Sequence, residues 1–407
     1  MASMIRPLDV FEAPILSGVP AFTVKYSGHI PEDVLRAAFR ELCDCHPILK
    51  AAVEIDNSKY QFSINTDHYP QVLSFREDDD EGFRAALGMW QNEDAVAQLL
   101  VQMGDTGGAV TLRATHAIAD GAAIFAILDH YFRLCSCFAG HDTEEINRTR
   151  GRIPQPPSAM FDERWFGRVV SDSNFDYEVD PMKLKEFNPQ ASGVPTVHRT
   201  LKLDAKVTAR LIGVAKRRNI TPNSLLSGVI ASTELVEASR SESEFVEIVS
   251  AVNLRNRVHP PVRSTETTNF IGTHSIYLDK SINRDPFFIG ATLRSDLSRA
   301  ISDQRIELWP PQGTWPPAER PSQKGVQIRM SNAGLAPKFV SPPNVSIDDL
   351  EARTGDLGSS AISALYGVIT YADKLTIYAR YPVAQRREDQ ADVVIDRILQ
   401  TIYAACT

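Results

Sequence analysis

The sequence predicts a mixed α/β chain, α/β or α+β in class, and two observations carry the prediction. Period-2 apolar alternation and i, i+3, i+4 apolar spacing both occur in each half of the 407 residues. Between the halves, residues 139–195 turn polar and Pro-rich, including Arg152-Ile153-Pro154-Gln155-Pro156-Pro157. That stretch reads as a crossover between an N-terminal lobe, 1–165, and a C-terminal lobe, 166–407.

Each element has a local reason. Ala21–Ser27 reads as a strand. Pro31 suits the first position of the helix that follows, with Glu32 and Asp33 complementing its positive end. Val34, Leu35, Ala38, Phe39 and Leu42 form one buried stripe, and His46-Pro47 stops the helix. Val110, Leu112 and Ala114 alternate with Thr111, Arg113 and Thr115, a half-buried strand. From Gly121 to about Phe138 the pattern is helical. The second half restarts with a strand, Val197–Leu203, and a helix capped by Asp204. A further helix opens at Thr221-Pro222, threonine as cap and proline at the first position. Phe245–Val252, Thr273–Leu278 and Val326–Met330 read as strands. Tyr366–Thr370 and Lys374–Tyr381 form a hairpin around Ala372-Asp373. Val393, Ile395, Ile398, Leu399 and Ile402 make the last helix amphipathic. The Trp309-Pro310-Pro311 and Trp315-Pro316-Pro317 stretch reads as an exposed excursion.

Composition narrows the function. Hydrophobic residues make up 43% and charged residues 23%, the usual globular mixture. A net charge of −8 argues against nucleic acid, which calls for a basic footprint. The small basic clusters, Lys216-Arg217-Arg218 and Arg148/Arg150/Arg152, read as solvated surface, or else as a landing site for phosphate or an acidic carrier protein. No charged leader precedes an apolar run in the first thirty residues, and no stretch approaches the ~20 apolar residues of a span. The expectation is a cytoplasmic protein without integral membrane contact. Cys43/Cys45 and Cys135/Cys137 are C-x-C pairs, which raises zinc. Their helical settings instead suggest buried free thiols, so no metal is expected.

The chemistry-bearing stretch is Arg113–Phe132, RATHAIADGAAIFAILDHYF. His116 and Asp120 stand four apart in apolar surroundings, followed by Gly121. With nine histidines, roughly one HxxxD spacing is expected by chance. His29 and Asp33 supply it: His29 follows Gly28 in a turn and Asp33 complements a helix end. His116, by contrast, ends a strand and precedes an apolar helix, with Gly121 where the backbone turns tightly. A buried carboxylate needs a cation. A core histidine bonded to Asp120 is the structural alternative.

Thr115-His116-Ala117-Ile118-Ala119-Asp120-Gly121 resembles the HxxxDG motif of the CoA-dependent acyltransferase superfamily. That superfamily holds chloramphenicol acetyltransferase, plant hydroxyl acyltransferases and peptide-synthetase condensation domains. The likeness is greatest to free-standing, polyketide-associated acyltransferases such as the phthiocerol/phthiodiolone dimycocerosyl transferases. Other stretches agree in order: Leu42-Cys43-Asp44-Cys45-His46-Pro47-Ile48-Leu49, Ile220-Thr221-Pro222-Asn223-Ser224-Leu225, Val252-Asn253-Leu254-Arg255, Thr268-Asn269-Phe270-Ile271-Gly272 and Arg329-Met330-Ser331-Asn332-Ala333-Gly334. Condensation domains usually read HHxxxDG. Thr115 departs from that and favours a free-standing acyltransferase.

The resemblance implies two similar chloramphenicol-acetyltransferase-like lobes with a tunnel between them. It implies direct transfer of an acyl group from acyl-CoA, or from a phosphopantetheine-bound chain on an acyl carrier protein. The acceptor is the hydroxyl of a polyketide, lipid or other natural-product alcohol. No further cofactor is implied, and the expected state is a monomer. His116 takes the general-base role. Asp120, with Gly121, is structural and pairs with Arg255 on a central strand of the second lobe. Ser331, Asn332, Asn269 and Gly272 are candidates for the oxyanion site or the tunnel wall. An amide-forming condensation enzyme and a non-catalytic relative that binds carrier protein are the alternatives.

Overall fold

The alternating stretch that ends at Ala114 forms a strand buried on both faces. In the computed structural model, β7 (Gly107–Ala114) buries Thr111 and Arg113 as deeply as Val110 and Leu112. The sequence expected a half-buried strand. The polar side chains are tolerated because they are bonded: Thr111 Oγ1 meets Thr23 Oγ1 at 2.8 Å, and Arg113 Nη1 donates to Ala86 O at 2.7 Å. The structure describes residues 4–9, 11–16, 18–56, 59–65, 67–88, 95–141, 146, 148–164, 195–239, 243–308, 325–353 and 364–407.

The chain divides into two compact units that do not follow a single cut. The first comprises Met1–Gly193, Arg255–Phe270 and Pro337–Gly358; the second comprises Val194–Leu254, Ile271–Ala336 and Ser359–Thr407. The sequence reading assigned all of 166–407 to one lobe. Two late stretches pack with the first unit instead.

In the first unit, a five-stranded sheet runs in the order β13-β2-β7-β6-β5, with β2 at Ala21–Ser27, β5 at Val72–Arg76, β6 at Ala97–Met103 and β13 at Ser346–Arg353. Only β5 and β6 pair in parallel within it. A small antiparallel sheet joins β1 (Met4–Pro7), β4 (Lys59–Ile64) and β3 (Ala51–Asp56). Helix α1 (Glu32–Cys45) buries the expected Leu35, Ala38, Phe39 and Leu42, with Cys43. Pro31 is its cap residue, one position earlier than expected. A shorter helix, α2, spans Asp80–Gly88.

Helix α3 (Gly121–Phe138) lies against α1, with Tyr131 Oη donating to Leu35 O at 3.2 Å. By length and composition α3 would pass for a membrane span, which the sequence reading did not expect. Ile124, Leu128, Phe132 and Cys135 are wholly buried in the fold, so packing accounts for its apolar character. Gly121 opens the helix directly after the turn that carries His116, without a positive φ.

The described part of the expected crossover is not an open loop. Helix α4 (Pro157–Arg164) buries Met160 and Phe161, and Phe161 stacks on Phe270 with centroids 4.2 Å apart. Residues 165–194 lie outside the described residues, as do both Trp-Pro-Pro stretches.

In the second unit, a seven-stranded sheet runs β11-β10-β9-β12-β14-β15-β8. Its strands are β8 (Thr196–Lys202), β9 (Phe245–Asn253), β10 (Ile271–Asp279), β11 (Glu307–Leu308), β12 (Gly325–Leu335), β14 (Ala364–Tyr371) and β15 (Lys374–Pro382). Ala372 and Asp373 join the last two at φ 46° and 63°, the left-handed pair a two-residue hairpin needs.

Helices α5 (Ala205–Arg217), α6 (Pro222–Ala238), α7 (Pro286–Ser302) and α8 (Glu388–Ala405) accompany this sheet. Asp204 and Thr221 cap α5 and α6 as expected, accepting from Val207 N at 2.7 Å and Ser224 N at 3.0 Å. A Cβ on Gly228 would overlap Pro286 O, so α6 and α7 meet backbone to backbone. The core gathers Leu225, Val229, Ile248, Ile328, Tyr366, Ile377 and Ile398. On α8, Ile395, Ile398 and Ile402 are buried as expected, but Val393 is exposed.

Candidate active site

Between β7 and α3 the backbone makes a short turn held by a series of hydrogen bonds. Thr115 N donates to Val96 O at 2.8 Å and His116 N to Gly18 O at 2.6 Å. Ala117 N bonds Thr115 Oγ1 at 3.1 Å, and Ile118 N bonds Thr115 O at the same distance. Thr115, the departure from HHxxxDG, therefore spends its hydroxyl closing the turn.

Asp120 closes the turn and caps α3. Its Oδ1 accepts from Ala123 N at 2.9 Å. Its Oδ2 accepts from Arg255 Nε at 3.0 Å, Arg255 Nη2 at 2.8 Å and Phe270 N at 3.0 Å. Both side chains are almost wholly buried, at 2% and 3% exposure, so each charge needs the other. Arg255 also donates to Arg263 O at 2.7 Å, Thr267 O at 3.3 Å and Thr268 O at 2.9 Å.

The sequence reading placed Arg255 on a central strand of the second lobe. It stands two residues beyond the end of β9, in the stretch that packs with the first unit. The physical reason is its donor set: one guanidinium gathers the carbonyls of 263, 267 and 268 around Asp120.

A second buried carboxylate braces the same stretch, and sequence reasoning missed it. Glu12, wholly buried, receives Arg6 Nη1 at 2.9 Å, Arg6 Nη2 at 2.7 Å, Asp9 N at 2.8 Å and Thr268 Oγ1 at 2.6 Å. Burial pushes its pKa up, and Arg6 pulls it back down. Farther along, Thr267 Oγ1 donates to Gln155 O at 2.7 Å, and Arg164 bonds Glu266.

His116 stands in this frame as a partly buried residue. Burial drives its pKa below the usual histidine value; the nearby Asp120 charge and the carbonyls of His116 and Ala119 oppose the shift. The balance keeps the imidazole neutral near pH 7, the form that can take a proton. Asn269 lies beside it: its amide group comes within 3.5 Å of His116 Nδ1.

The structure thus brings His116, Asp120, Gly121, Arg255 and Asn269 together in the first unit. Ser331, Asn332 and Gly272 belong to the second. Asn332 Nδ2 donates to Asn223 Oδ1 at 2.7 Å, and its Oδ1 accepts from Gly334 N at 2.7 Å, beside the β12 irregularity. Its amide thus ties β12 to the start of α6. Cys43, Cys45 and Cys135 are buried and form no disulfide; burial raises Cys45 to about 11 and Cys135 to about 12. Among the described residues no cluster of three His, Cys, Asp or Glu side chains is arranged to hold a metal.

Comparison with known proteins yields a consistent set of similarities. The family model for the C-terminus of phthiocerol/phthiodiolone dimycocerosyl transferase matches residues 191–380. The phthiocerol/phthiodiolone dimycocerosyl transferase of Mycobacterium ulcerans (strain Agy99) is 25% identical over 358 residues, 82% of this chain and 81% of that one. Polyketide synthase associated protein 5 from Mycobacterium tuberculosis has a similar fold, with a TM-score of 0.75 at 17% identity, covering 98% of this chain and 99% of that one. Trichothecene 15-O-acetyltransferase from Fusarium sporotrichioides aligns at a TM-score of 0.67 and 11% identity, over 99% and 95%.

Proposed function

Because the chain belongs to the CoA-dependent acyltransferase superfamily, we propose that it moves an acyl group from a thioester to a hydroxyl, with His116 as general base. The observation that carries this reading is His116 on a turn locked by Asp120 and Arg255, with burial favouring its neutral form. The donor is acyl-CoA or an acyl chain on a carrier protein. The acceptor is a small-molecule alcohol of the polyketide or lipid kind. The mycobacterial relative is named for dimycocerosyl transfer and the Fusarium protein for 15-O-acetyl transfer, and both names support the reading. Buried free thiols fit a reducing, cytoplasmic setting.

An alcohol near neutral pH is a poor nucleophile. As its oxygen bonds to the thioester carbonyl carbon, its proton passes to His116 Nε2. The carbonyl π electrons move to oxygen, which then carries negative charge and needs a donor. Collapse reforms the carbonyl and breaks the carbon–sulfur bond. The leaving thiolate takes the proton back from His116, so the histidine ends as it began. General-base help of this kind is typically worth ~10²–10⁴-fold. Cys43 and Cys135 fit no covalent route, because a thiol pushed up by burial is a poor nucleophile.

The test is thiol release from acyl-CoAs of several chain lengths against panels of alcohols and amines. Alcohol-dependent release in the native chain, lost in His116→Ala, is expected. Release with amines alone would replace this reading with amide formation. An acylated protein after incubation with donor alone, discharged by acceptor, would replace direct transfer with a covalent route.

A further inference from the structure

A pocket lies beside the catalytic turn, wholly within the first unit. Ile118 of the turn, Ile127 of α3 and Ile48, just beyond α1, give it an apolar wall. His46, Arg152 and Thr265 bring polar groups to it. The two loops that carry Arg152 and Thr265 are tied together. Gln155 N donates to Glu266 O at 3.2 Å, and Thr267 Oγ1 donates to Gln155 O at 2.7 Å. The backbone therefore fixes where the pocket stands, and its own polar side chains are not needed to hold it.

Those polar groups are unspent. Nearby arginines have acidic partners: Arg148 lies 3.4 Å from Glu41, and Arg164 and Arg263 both meet Glu266. Among the described residues Arg152 has no ion pair and no hydrogen bond, and the Thr265 hydroxyl has no partner either. His46 gives Nε2 to the contact with His130 at 2.9 Å, and its Nδ1 bonds no described residue. None of the described residues that line the pocket is acidic. A cation and a hydroxyl without partners, at a pocket without a carboxylate, suit an anion. The isoleucine wall suits an apolar tail, which a bare anion would leave unused.

We propose that this pocket binds a short-chain carboxylate. Its head accepts hydrogen bonds from the Arg152 guanidinium and the Thr265 hydroxyl, and its tail lies against Ile48, Ile118 and Ile127. The pocket is small, about 310 Å³ with its open mouth counted, so the tail is short. A ligand of about two to four carbons fits that space. His116 is not among the lining residues, so the site stands apart from the proposed chemistry. Binding here does not require the acyl-transfer reading. It does place the ligand against Ile118, two positions beyond His116 in the same turn.

The test uses the full chain labelled with ¹⁵N in histidine, titrated with sodium acetate, propionate or butyrate at fixed pH and ionic strength. The His46 signals are identified by their loss in His46→Gln. Burial first, then the His130 charge, holds the His46 pKa at about 4, so at neutral pH its signals report the ligand and not a proton. They should shift with a midpoint on the order of millimolar. The midpoint should fall about fourfold for each added methylene. Arg152→Gln should raise it about tenfold, and Thr265→Val about threefold. Neither side chain bonds a described residue, so both variants should fold. Butanol, which lacks the charge, and inorganic phosphate, which lacks the tail, should each bind more weakly than butyrate. His46 signals unmoved by butyrate would overturn the proposal, as would a response confined to His116. So would a midpoint indifferent to both substitutions, or phosphate binding as tightly as butyrate.

Discussion

Arg255 Nη2 lies 2.8 Å from Asp120 Oδ2, across 135 positions of sequence, and both side chains are buried. The aspartate also caps α3, and the arginine also binds three backbone carbonyls. One ion pair therefore joins the turn bearing His116 to the stretch bearing Asn269.

Removing one partner strands the other charge in the interior. Asp120→Ala should cost ~3–5 kcal/mol in urea unfolding, with a further ~1 kcal/mol for the lost cap. The Asp120→Ala, Arg255→Ala double variant should lose less than the two single losses summed. Strict additivity would mean the pair does not interact in solution.

His116→Ala should cut turnover by ~10²–10⁴ while leaving the melting temperature close to native. The pH profile has a sign. Activity needs the neutral ring and rises with pH through the folded pKa, which burial holds below the usual histidine value of 6.5. The acid limb of kcat/KM should therefore fall below pH 6.5. A limb above it would contradict the burial effect.

His46 makes a separate acid-stability prediction. Its Nε2 meets His130 Nδ1 at 2.9 Å, and burial first, then the His130 charge, pushes its pKa down to about 4. Between pH 6.5 and 4 the unfolded chain takes a proton that the folded one refuses, so stability falls with acidification. His46→Gln should flatten the pH dependence of the urea midpoint across that window. An unchanged slope would assign the acid lability to other groups.

Leu350, on β13, is 1% exposed and lies opposite Val24 of β2. Leu350→Ala should cost ~2–5 kcal/mol by leaving a cavity beneath the first sheet. Protection of the β2 amides in hydrogen exchange should drop with it. Retained protection would show that β2 does not depend on β13.

Where local pattern decides the structure, it was legible. The apolar run of α3 and the caps Asp204 and Thr221 all stand where the residues indicated. Strand β13 was not legible. Ser346-Ile347-Asp348-Asp349-Leu350-Glu351-Ala352-Arg353 is an edge strand with Leu350 its one buried side chain, so no apolar alternation marks it. Glu12 escaped for another reason: its partner Thr268 is 256 positions away. Arg255 came from the resemblance, since nothing near it in sequence announces a buried carboxylate. Asn332 stands where the resemblance placed it, and its amide meets Asn223 on α6 and Gly334 N on its own strand.

The placement of β13 has a consequence for synthesis. Until residues 346–353 leave the ribosome, the growing chain holds β2 with an uncovered edge, although β2 itself was made some three hundred residues earlier. A bare edge strand is a template for pairing with other chains. At roughly 5–20 residues per second, that edge waits on the order of tens of seconds. Prematurely terminated chains would keep it open for good, and a cell making this protein would need chaperones to shield the nascent first unit.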